Sequence, residues 1–329
     1  AFDERAKAEQ LSHLHKTEHY EMVLKAGDME RCLPRLMWHL EEPRVGQSYP
    51  NFYAAQLAGK FGKVVLSGAG GDELFGGYPW RYYRAAVNDN FDDYVDKYYA
   101  YWQRLIPDFA VDGLFRPIAS STLDTREIFH DVFASPAAGL TRPEDYINHS
   151  LYFEAKTFLH GLLVMEDKLS MAHGLETRVP FLDNALVDTA MAVPVRQKLG
   201  NLSDVIRLNE NEAGDKVSKY FHRTQDGKLI LRKVMRRFVP EEVSEREKQG
   251  FSAPDASWFK GESIDYVRRR LYGRGTRLYD FLDRRAVQDL VDEHLNGATN
   301  RRLLIWSLLC FEQWLEIFLE GNGLEPVAT

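Results

Sequence analysis

A glycine-rich segment carries the residue types best suited to chemistry. Residues 67–78 read Ser-Gly-Ala-Gly-Gly-Asp-Glu-Leu-Phe-Gly-Gly-Tyr, and we name them the glycine loop. Glycine admits a positive φ and lets the backbone approach a ligand closely, and free N–H groups in such a turn can bind an anion. Asp72 and Glu73 follow, and a carboxylate there can hold Mg²⁺ against a phosphate. A tight turn capped by Asp72, with no ligand, explains an isolated motif of this kind equally well.

Three consecutive charged residues interrupt an apolar segment in the middle of the chain. Apolar residues between Phe158 and Ala172 recur at helical spacing, which predicts a buried helix. Glu166, Asp167 and Lys168 are costly to bury there unless they pair or face a cleft. A helix that presents acid and base to a polar site and an exposed turn with an ordinary ion pair explain this pattern equally well.

Two basic residues could meet a carboxylate or a phosphate. Arg178 lies between Gly174 and Pro180, which predicts a fixed turn that aims the guanidinium at such a group. Lys248 precedes Gly250 in a loop, where a lysine could neutralise a pentavalent phosphorus or an oxyanion. A solvated surface charge is the commoner role of a single lysine.

Short elements must position these groups. Spacing of apolar residues predicts three early helices, over residues 3–14, 28–41 and 52–61. The last of them is predicted to end at Gly62, a favoured stop. Residues 63–67, Lys-Val-Val-Leu-Ser, are typical of a buried parallel strand, and a strand between helices predicts a parallel α/β sheet. Beyond about residue 90 we expect helices and no further strand.

The composition is that of an ordinary globular protein. Of 329 residues, 44% are hydrophobic and 28% are charged. The formal net charge of −7 argues against nucleic acid or an anionic membrane as the main partner, but ATP needs only a few local donors. Cys32 and Cys310 are the only cysteines and imply no disulfide framework. With no secretory leader in residues 1–10 and no apolar stretch of spanning length, we expect a cytoplasmic protein.

Five segments together resemble the synthetase domain of glutamine-dependent asparagine synthetases and their relatives, including β-lactam synthetases. They occur in family order through nearly the whole chain, at residues 66–78, 166–183, 228–232, 246–254 and 304–314. The resemblance implies an α/β fold, with a parallel sheet of the adenine-nucleotide α-hydrolase-like type followed by a mostly helical remainder. It assigns residues 1–329 to one synthetase domain, with an α/β nucleotide-binding part at 1–90 and a mainly helical part at 91–329.

The resemblance also implies a reaction. A carboxylate, with aspartate as the expected acceptor, attacks the α-phosphorus of ATP and gives an acyl-adenylate and pyrophosphate. Ammonia, delivered from glutamine by an amidotransferase domain or subunit, then displaces AMP to form the amide. ATP and Mg²⁺ are the implied cofactors. The resemblance allows a homodimer, and we expect neither nucleic acid nor a membrane as partner.

Site residues carry over from the family motifs. The resemblance makes Asp72 the carboxylate that holds Mg²⁺-pyrophosphate and Lys248 the lysine that neutralises the phosphate. Asp167 and Arg178 fall in the second active-site motif and are the further catalytic candidates. The implied nucleotide-binding residues are Leu66, Ser67, Gly68, Gly70 and Gly71.

Two departures from the family pattern bear on these expectations. The pyrophosphate loop Ser-Gly-Gly-x-Asp-Ser and the amidotransferase domain are absent from the sequence, so we expect residues to be missing ahead of Ala1. Ala69 stands where aspartate-amidating members carry a Glu, which can bind the ammonium of the acceptor or transfer a proton. A relative that amidates another acceptor in polysaccharide or secondary-metabolite synthesis stays open, and so does a degenerate, non-catalytic nucleotide-binding protein.

Overall fold

The part of the chain that the structure describes is mostly helical and contains one small parallel sheet. The computed structural model describes residues 5–82, 88–118, 124–133, 140, 142–200, 227–245 and 255–319. Within these residues, no helix is both long enough and apolar enough to cross a membrane.

Each of the two strands lies between helical segments of the chain. The first section consists of α1 Arg5–His15, α2 Ala26–Leu40, α3 Tyr49–Ala58, β1 Val64–Leu66, α4 Gly71–Phe75 and α5 Pro79–Tyr82. An aromatic-rich section follows, with α6 Phe91–Trp102, α7 Asp108–Leu114, α8 Thr125–Val132 and α9 Pro143–Phe153. A π-helical turn then leads into α10 and the second strand, as Glu154–Phe158, α10 Leu159–Met171 and β2 Glu176–Arg178.

The remaining described elements are helical. After a 3₁₀ turn at Pro180–Leu182 come α11 Asn184–Ala192, α12 Val195–Lys198, α13 Leu229–Met235, α14 Glu241–Ser244 and α15 Asp255–Trp258. The last section consists of α16 Ile264–Leu271, a 3₁₀ turn at Arg277–Asp280, α17 Arg284–Leu295 and α18 Arg302–Phe318. Short polar side chains accept backbone N–H bonds where several helices begin, which satisfies donors that would otherwise lack partners; examples are Asn90, Asp124, Asp183 and Asp283.

The sheet pairs β1 with β2 in parallel, which confirms the predicted parallel sheet. β2 lies in the region where we expected no further strand, so that expectation was wrong. Arg178 was also placed wrongly, because it ends β2 instead of lying in a turn. Nor is β1 buried, since Val64 is 53% and Leu66 70% exposed. Paired residues lie on the same face of a sheet, so Val64, Leu66, Glu176 and Arg178 share this exposed face.

The ends of the predicted helices are shifted in the structure. The helix predicted over residues 52–61 begins at Tyr49 and ends at Ala58, with Gly59 and not Gly62 as the stop. Pro50 lies in its first turn, a position where the missing N–H costs nothing. A Cβ at Gly59 would lie 3.1 Å from the carbonyl oxygen of His173, so tertiary packing selects this glycine.

The largest core forms where α18 packs on α2. Trp306 of α18 and Leu36 of α2 are both fully buried, and burying each such side chain stabilises the fold by about 1.5–3 kcal/mol. The indole Nε1 of Trp306 donates to the carbonyl oxygen of Gly46 at 3.0 Å. Trp314 Nε1 donates to the carbonyl oxygen of Glu41 at 2.9 Å. The core therefore joins the last described helix to the loop that follows α2.

Candidate active site

The glycine loop begins directly at the carboxyl end of β1. The N–H of Ser67 donates to the carbonyl oxygen of Arg178 at 2.8 Å, so the sheet hydrogen bonding continues into the loop. The Ser67 hydroxyl then accepts the N–H of Ala69 at 3.2 Å. A Cβ built on Gly68 would meet nothing within 4 Å. The backbone beside Gly68 is therefore open to an incoming ligand.

Gly70 and Gly71 face protein and not open space. Gly70 has φ +91°, and a Cβ there would lie 2.5 Å from Leu182 Cδ2. A Cβ at Gly71 would touch the Phe181 ring at 3.4 Å. These two glycines hold the loop against the 3₁₀ turn that follows β2.

The Asp72 carboxylate lies in close contact with the lysine that immediately precedes α13. Lys228 Nζ is 2.7 Å from Asp72 Oδ1, and both side chains are partly buried. The N–H of Lys228 donates to the carbonyl oxygen of Phe75 at 3.2 Å, which ties the start of α13 to the end of α4. Lys228 has φ +58°, an uncommon conformation for a residue with a side chain. The ion pair and the hydrogen bond to Phe75 together hold the Lys228 ammonium beside Asp72.

Behind the loop lies a buried network of acids, tyrosines and one arginine. The Tyr78 hydroxyl donates to Glu73 Oε1 at 3.1 Å, and burial, with Asp72 and Glu73 nearby, raises the pKa of Tyr78. Arg81 packs its guanidinium over the Tyr78 ring and pairs with Glu154 at 2.5 Å. Burial raises the pKa of Glu154, although Arg81 opposes this shift.

The two predicted catalytic residues of the second motif lie apart from each other. Arg178 ends β2 beside Leu66. Its side chain is 62% exposed, and its guanidinium pairs with Glu176 at 2.9 Å. Asp167 is an exposed residue of α10 and lines an open groove with Trp38 and Phe318. That groove contains no residue of the glycine loop among its lining.

The predicted helix that carries charges is present as α10. Its Lys168 forms an ordinary ion pair, because Nζ lies 2.8 Å from Glu41 and 2.7 Å from the Leu40 carbonyl oxygen. Lys168 therefore stabilises the end of α2. The other predicted lysine, Lys248, lies outside the described residues.

Sequence reasoning gave no role to Lys228 and considered Glu73 only as a carboxylate for Mg²⁺, whereas the structure places Lys228 beside Asp72 and Glu73 beside Tyr78. The only sequence signal for Lys228 was its position at the start of the matching segment 228–232. Its partner Asp72 is far away along the chain, so spacing alone could not pair the two.

The residues around Asp72 fit a magnesium ion that arrives with a nucleotide. No group of three or more His, Cys, Asp or Glu that could hold a metal occurs within the described parts of the chain. However, Mg²⁺ is usually held by one or two carboxylates together with substrate phosphates and water. Asp72 can supply one such carboxylate, and Lys228 adds positive charge where phosphates would lie.

Comparison with known proteins gives a consistent family. A family profile described as asparagine synthase matches residues 1–316. A Mycobacterium tuberculosis protein, provisionally named a glutamine-hydrolysing asparagine synthetase, is 28% identical, with 94% of this chain and 48% of that protein covered. Glutamine-hydrolysing asparagine synthetase 1 of Bacillus subtilis is 26% identical, with 92% and 48% covered.

A second Bacillus subtilis relative, glutamine-hydrolysing asparagine synthetase 3, is 23% identical, with 86% of this chain and 42% of that protein covered. The chain thus spans about half the length of the relatives it matches. The family profile extends over almost all of the residues that form the sheet, the glycine loop and the α2–α18 core. The chain therefore belongs to the asparagine synthase family.

Proposed function

We propose that this chain carries the synthetase site of an ATP-dependent ligase. The ligase activates a carboxylate, aspartate in the first place, as an acyl-adenylate and converts it to an amide with ammonia from glutamine. The main support is that the fold brings together three of the five segments that resemble the family, at residues 66–78, 166–183 and 228–232. The β1–β2 pairing joins the first two, and the Asp72–Lys228 ion pair joins the first to the third.

In this proposal the loop residues bind the nucleotide. Leu66 ends β1 and Ser67 follows it, and the open backbone at Gly68 gives room for the adenylate. Gly70 and Gly71 act indirectly by packing the loop against the turn after β2. A bound Mg²⁺ would neutralise phosphate charge, and Asp72 would be its protein ligand.

Three basic residues are proposed to bind the negatively charged groups of the substrates. Lys228 places a cation beside Asp72, where it would contact the pyrophosphate side of the nucleotide. Arg178, exposed next to the end of β1, is suited to bind a carboxylate through its planar guanidinium. Lys248 is proposed to stabilise the charge that develops at the α-phosphorus. Asp167 stays a catalytic candidate from the family motif alone, because its groove is separate from the glycine loop.

The second candidate function is amidation of an acceptor other than aspartate, and the presence of Ala69 supports it. The side chain of Ala69 is a methyl group, and its N–H is used inside the turn by Ser67. The position can therefore supply neither charge nor a proton-transfer group to an acceptor that carries an ammonium. An acceptor without an ammonium group near its reacting carboxylate would need neither.

The first experiment uses the purified full-length protein, because residues 1–329 lack the Ser-Gly-Gly-x-Asp-Ser loop. It measures pyrophosphate release with MgATP, ammonium chloride and a panel of carboxylates that begins with aspartate. We expect release that depends on one carboxylate, together with the corresponding amide as product. If nucleotide binds and no member of a broad panel supports release, the ligase proposal fails and the non-catalytic reading takes its place.

Replacing the Asp72 carboxylate tests its role directly. We expect Asp72→Asn to lower the rate of pyrophosphate release about 100-fold or more, since it removes electrostatic stabilisation at the phosphates. The exposed Asp188 provides the matched control, because Asp188→Asn makes the same chemical change on a side chain that faces solvent. Unchanged turnover in Asp72→Asn would refute metal or phosphate binding by this residue.

A further inference from the structure

A small cavity with opposite charges in its wall lies behind the glycine loop. Its volume is about 200 Å³, and residues of α4, α9, the π-helical turn, α11 and α12 line it. Glu73 and Lys198 supply its charges, and Leu74 and Leu151 supply buried apolar wall. None of the proposed nucleotide residues, Leu66 to Asp72, belongs to this lining.

Lys198 is the unusual member of this cavity. Only 2% of its surface is exposed, and among the residues that the structure describes it has no hydrogen-bond or ion-pair partner. Burial lowers the pKa of Lys198. A buried charge without a partner is costly, so the fold holds this amine in a place that favours an incoming negative group.

Glu73 offers the opposite charge from another wall of the cavity. It is also 2% exposed, and the Tyr78 hydroxyl is its hydrogen-bond donor within the described residues. A carboxylate can accept several more hydrogen bonds. Glu73 and Lys198 do not form an ion pair with each other, so the cavity keeps an acid and a base apart.

The cavity is open to small molecules from one side. Met191 is 57% exposed, and Asn148 is also exposed, so these two residues lie at the mouth. Glu73, Leu74, Leu151 and Lys198 are buried and form the floor and walls. A ligand that enters past Met191 therefore reaches both charges and the apolar wall.

We propose that this cavity binds a small aliphatic α-amino acid, with its carboxylate on Lys198 and its ammonium near Glu73. Such a zwitterion compensates both buried charges and leaves the site neutral. A simple anion would compensate Lys198 and be repelled by Glu73, and an amine would do the reverse. Leu74, Leu151 and Met191 give an aliphatic side chain apolar contacts. The proposal does not depend on the ligase function.

Calorimetric titration of the purified protein without nucleotide tests the site. The probes are glycine, L-alanine, L-valine, L-leucine and L-methionine. We expect at least one to bind, and its analogues that lack the ammonium or the carboxylate to bind at least about tenfold more weakly. Loss of a charge-assisted hydrogen bond has an effect of this size.

Substitutions of residues that line the cavity test whether the amino acid binds there. Lys198→Met keeps an apolar stem and should weaken binding at least about tenfold. Met191→Trp fills the mouth from an exposed position and should also prevent binding, which keeps the test decisive if Lys198→Met does not fold. Lys156→Met is the matched control, because Lys156 is exposed on the adjoining π-helical turn and its removal should leave binding unchanged.

Three outcomes would overturn the proposal. These are no binding of any of the five amino acids, unchanged binding in the folded Lys198→Met and Met191→Trp variants, and equally tight binding of the deaminated analogue. The last result would mean an anion site only. Because the titration contains no nucleotide, a failure here is distinct from a failure of pyrophosphate release.

Discussion

Gly77 sets the position of the Asp72 carboxylate. A Cβ at Gly77 would lie 1.8 Å from Asp72 Oδ1, far inside any contact distance. The N–H of Gly77 also donates to the backbone carbonyl of Asp72 at 2.7 Å. Only glycine leaves room at position 77 for the Asp72 carboxylate, which in this position contacts Lys228.

A methyl group at this position should therefore disturb the site and the fold. We expect Gly77→Ala to lower the free energy of unfolding by about 1–3 kcal/mol, as overpacking does. Gly113 in α7 is the control, because a Cβ there meets nothing within 4 Å, and Gly113→Ala should be stabilising by about 0.5–1 kcal/mol. Urea unfolding measures both. Equal stabilities of the two variants would contradict the contact with Asp72.

The position of the glycine loop could be predicted from sequence, because a cluster of glycines after a short apolar run marks a turn locally. Ser67 and Gly68 follow β1 directly, as expected. Lys228 could not be assigned in this way. A lysine gains its role from the residue that it meets, and here that residue is brought near only by tertiary packing.

At the scale of elements, a helix or strand could be predicted from the sequence only when it was long enough to show a pattern of apolar residues. α10 has 13 residues with apolar positions at helical spacing, and the predicted helix is present. β2 has three residues, Glu-Thr-Arg, which give no apolar alternation to detect. It is a strand because β1 supplies partners, and the pairing continues just before β1, where the N–H of Glu176 donates to the Lys63 carbonyl oxygen at 2.8 Å.

The π-helical turn Glu154–Phe158 is an element that holds one buried acid in place. Glu154 is fully buried, pairs with Arg81, and accepts the Tyr98 hydroxyl at 2.7 Å. Turns of this type are rare and widen a helix locally. The widening joins α9 to α10 at the point where Glu154 meets α5 and α6.

Removing one member of this pair should be more harmful than removing both. We expect Glu154→Leu to lower the free energy of unfolding by about 3–5 kcal/mol, because Arg81 then stays buried without a counter-charge. The double variant Arg81→Met with Glu154→Leu should recover much of that loss. Urea unfolding of both variants provides the measurement. A double variant less stable than Glu154→Leu alone would count against the ion-pair argument.

The contact between α3 and the end of α10 should make stability depend on pH. The His173 ring packs edge-on against the Phe52 ring, with 4.6 Å between the ring centroids. Burial lowers the pKa of His173 from the ordinary 6.5. As the pH falls below 6.5, the unfolded chain takes up the proton first, so the free energy of unfolding decreases. At higher pH the histidine is neutral in both states and has no such effect.

The variant His173→Gln should therefore show a smaller loss of stability between pH 7 and acid pH than the wild type. His149, whose pKa burial also lowers, keeps part of the slope in both proteins. Urea unfolding at a series of pH values gives the comparison. Parallel stability curves for the two proteins would show that His173 is not responsible.

At the scale of the whole molecule, the main core and the candidate site are separate. The α2–α18 core holds most of the large buried side chains, whereas the sheet beside the glycine loop has an exposed face with Val64 and Leu66. Exposed apolar surface beside a ligand site often marks a place of contact with another molecule or segment. Substitutions in the core should thus affect stability before they affect ligand binding.

The hydrogen bonds of Trp306 and Trp314 have a consequence for how the protein is made. Their acceptors, Gly46 and Glu41, are 260 and 273 residues earlier in the chain. A ribosome synthesises about 5–20 residues per second, so α2 leaves it many seconds before α18 exists. Until then the part of α2 that packs on α18 has no final partner, although α3 and α10 already pack on other parts of the helix. Nascent chains that stop before α18 should accordingly be bound by chaperones and cut by proteases, and completed chains should resist both.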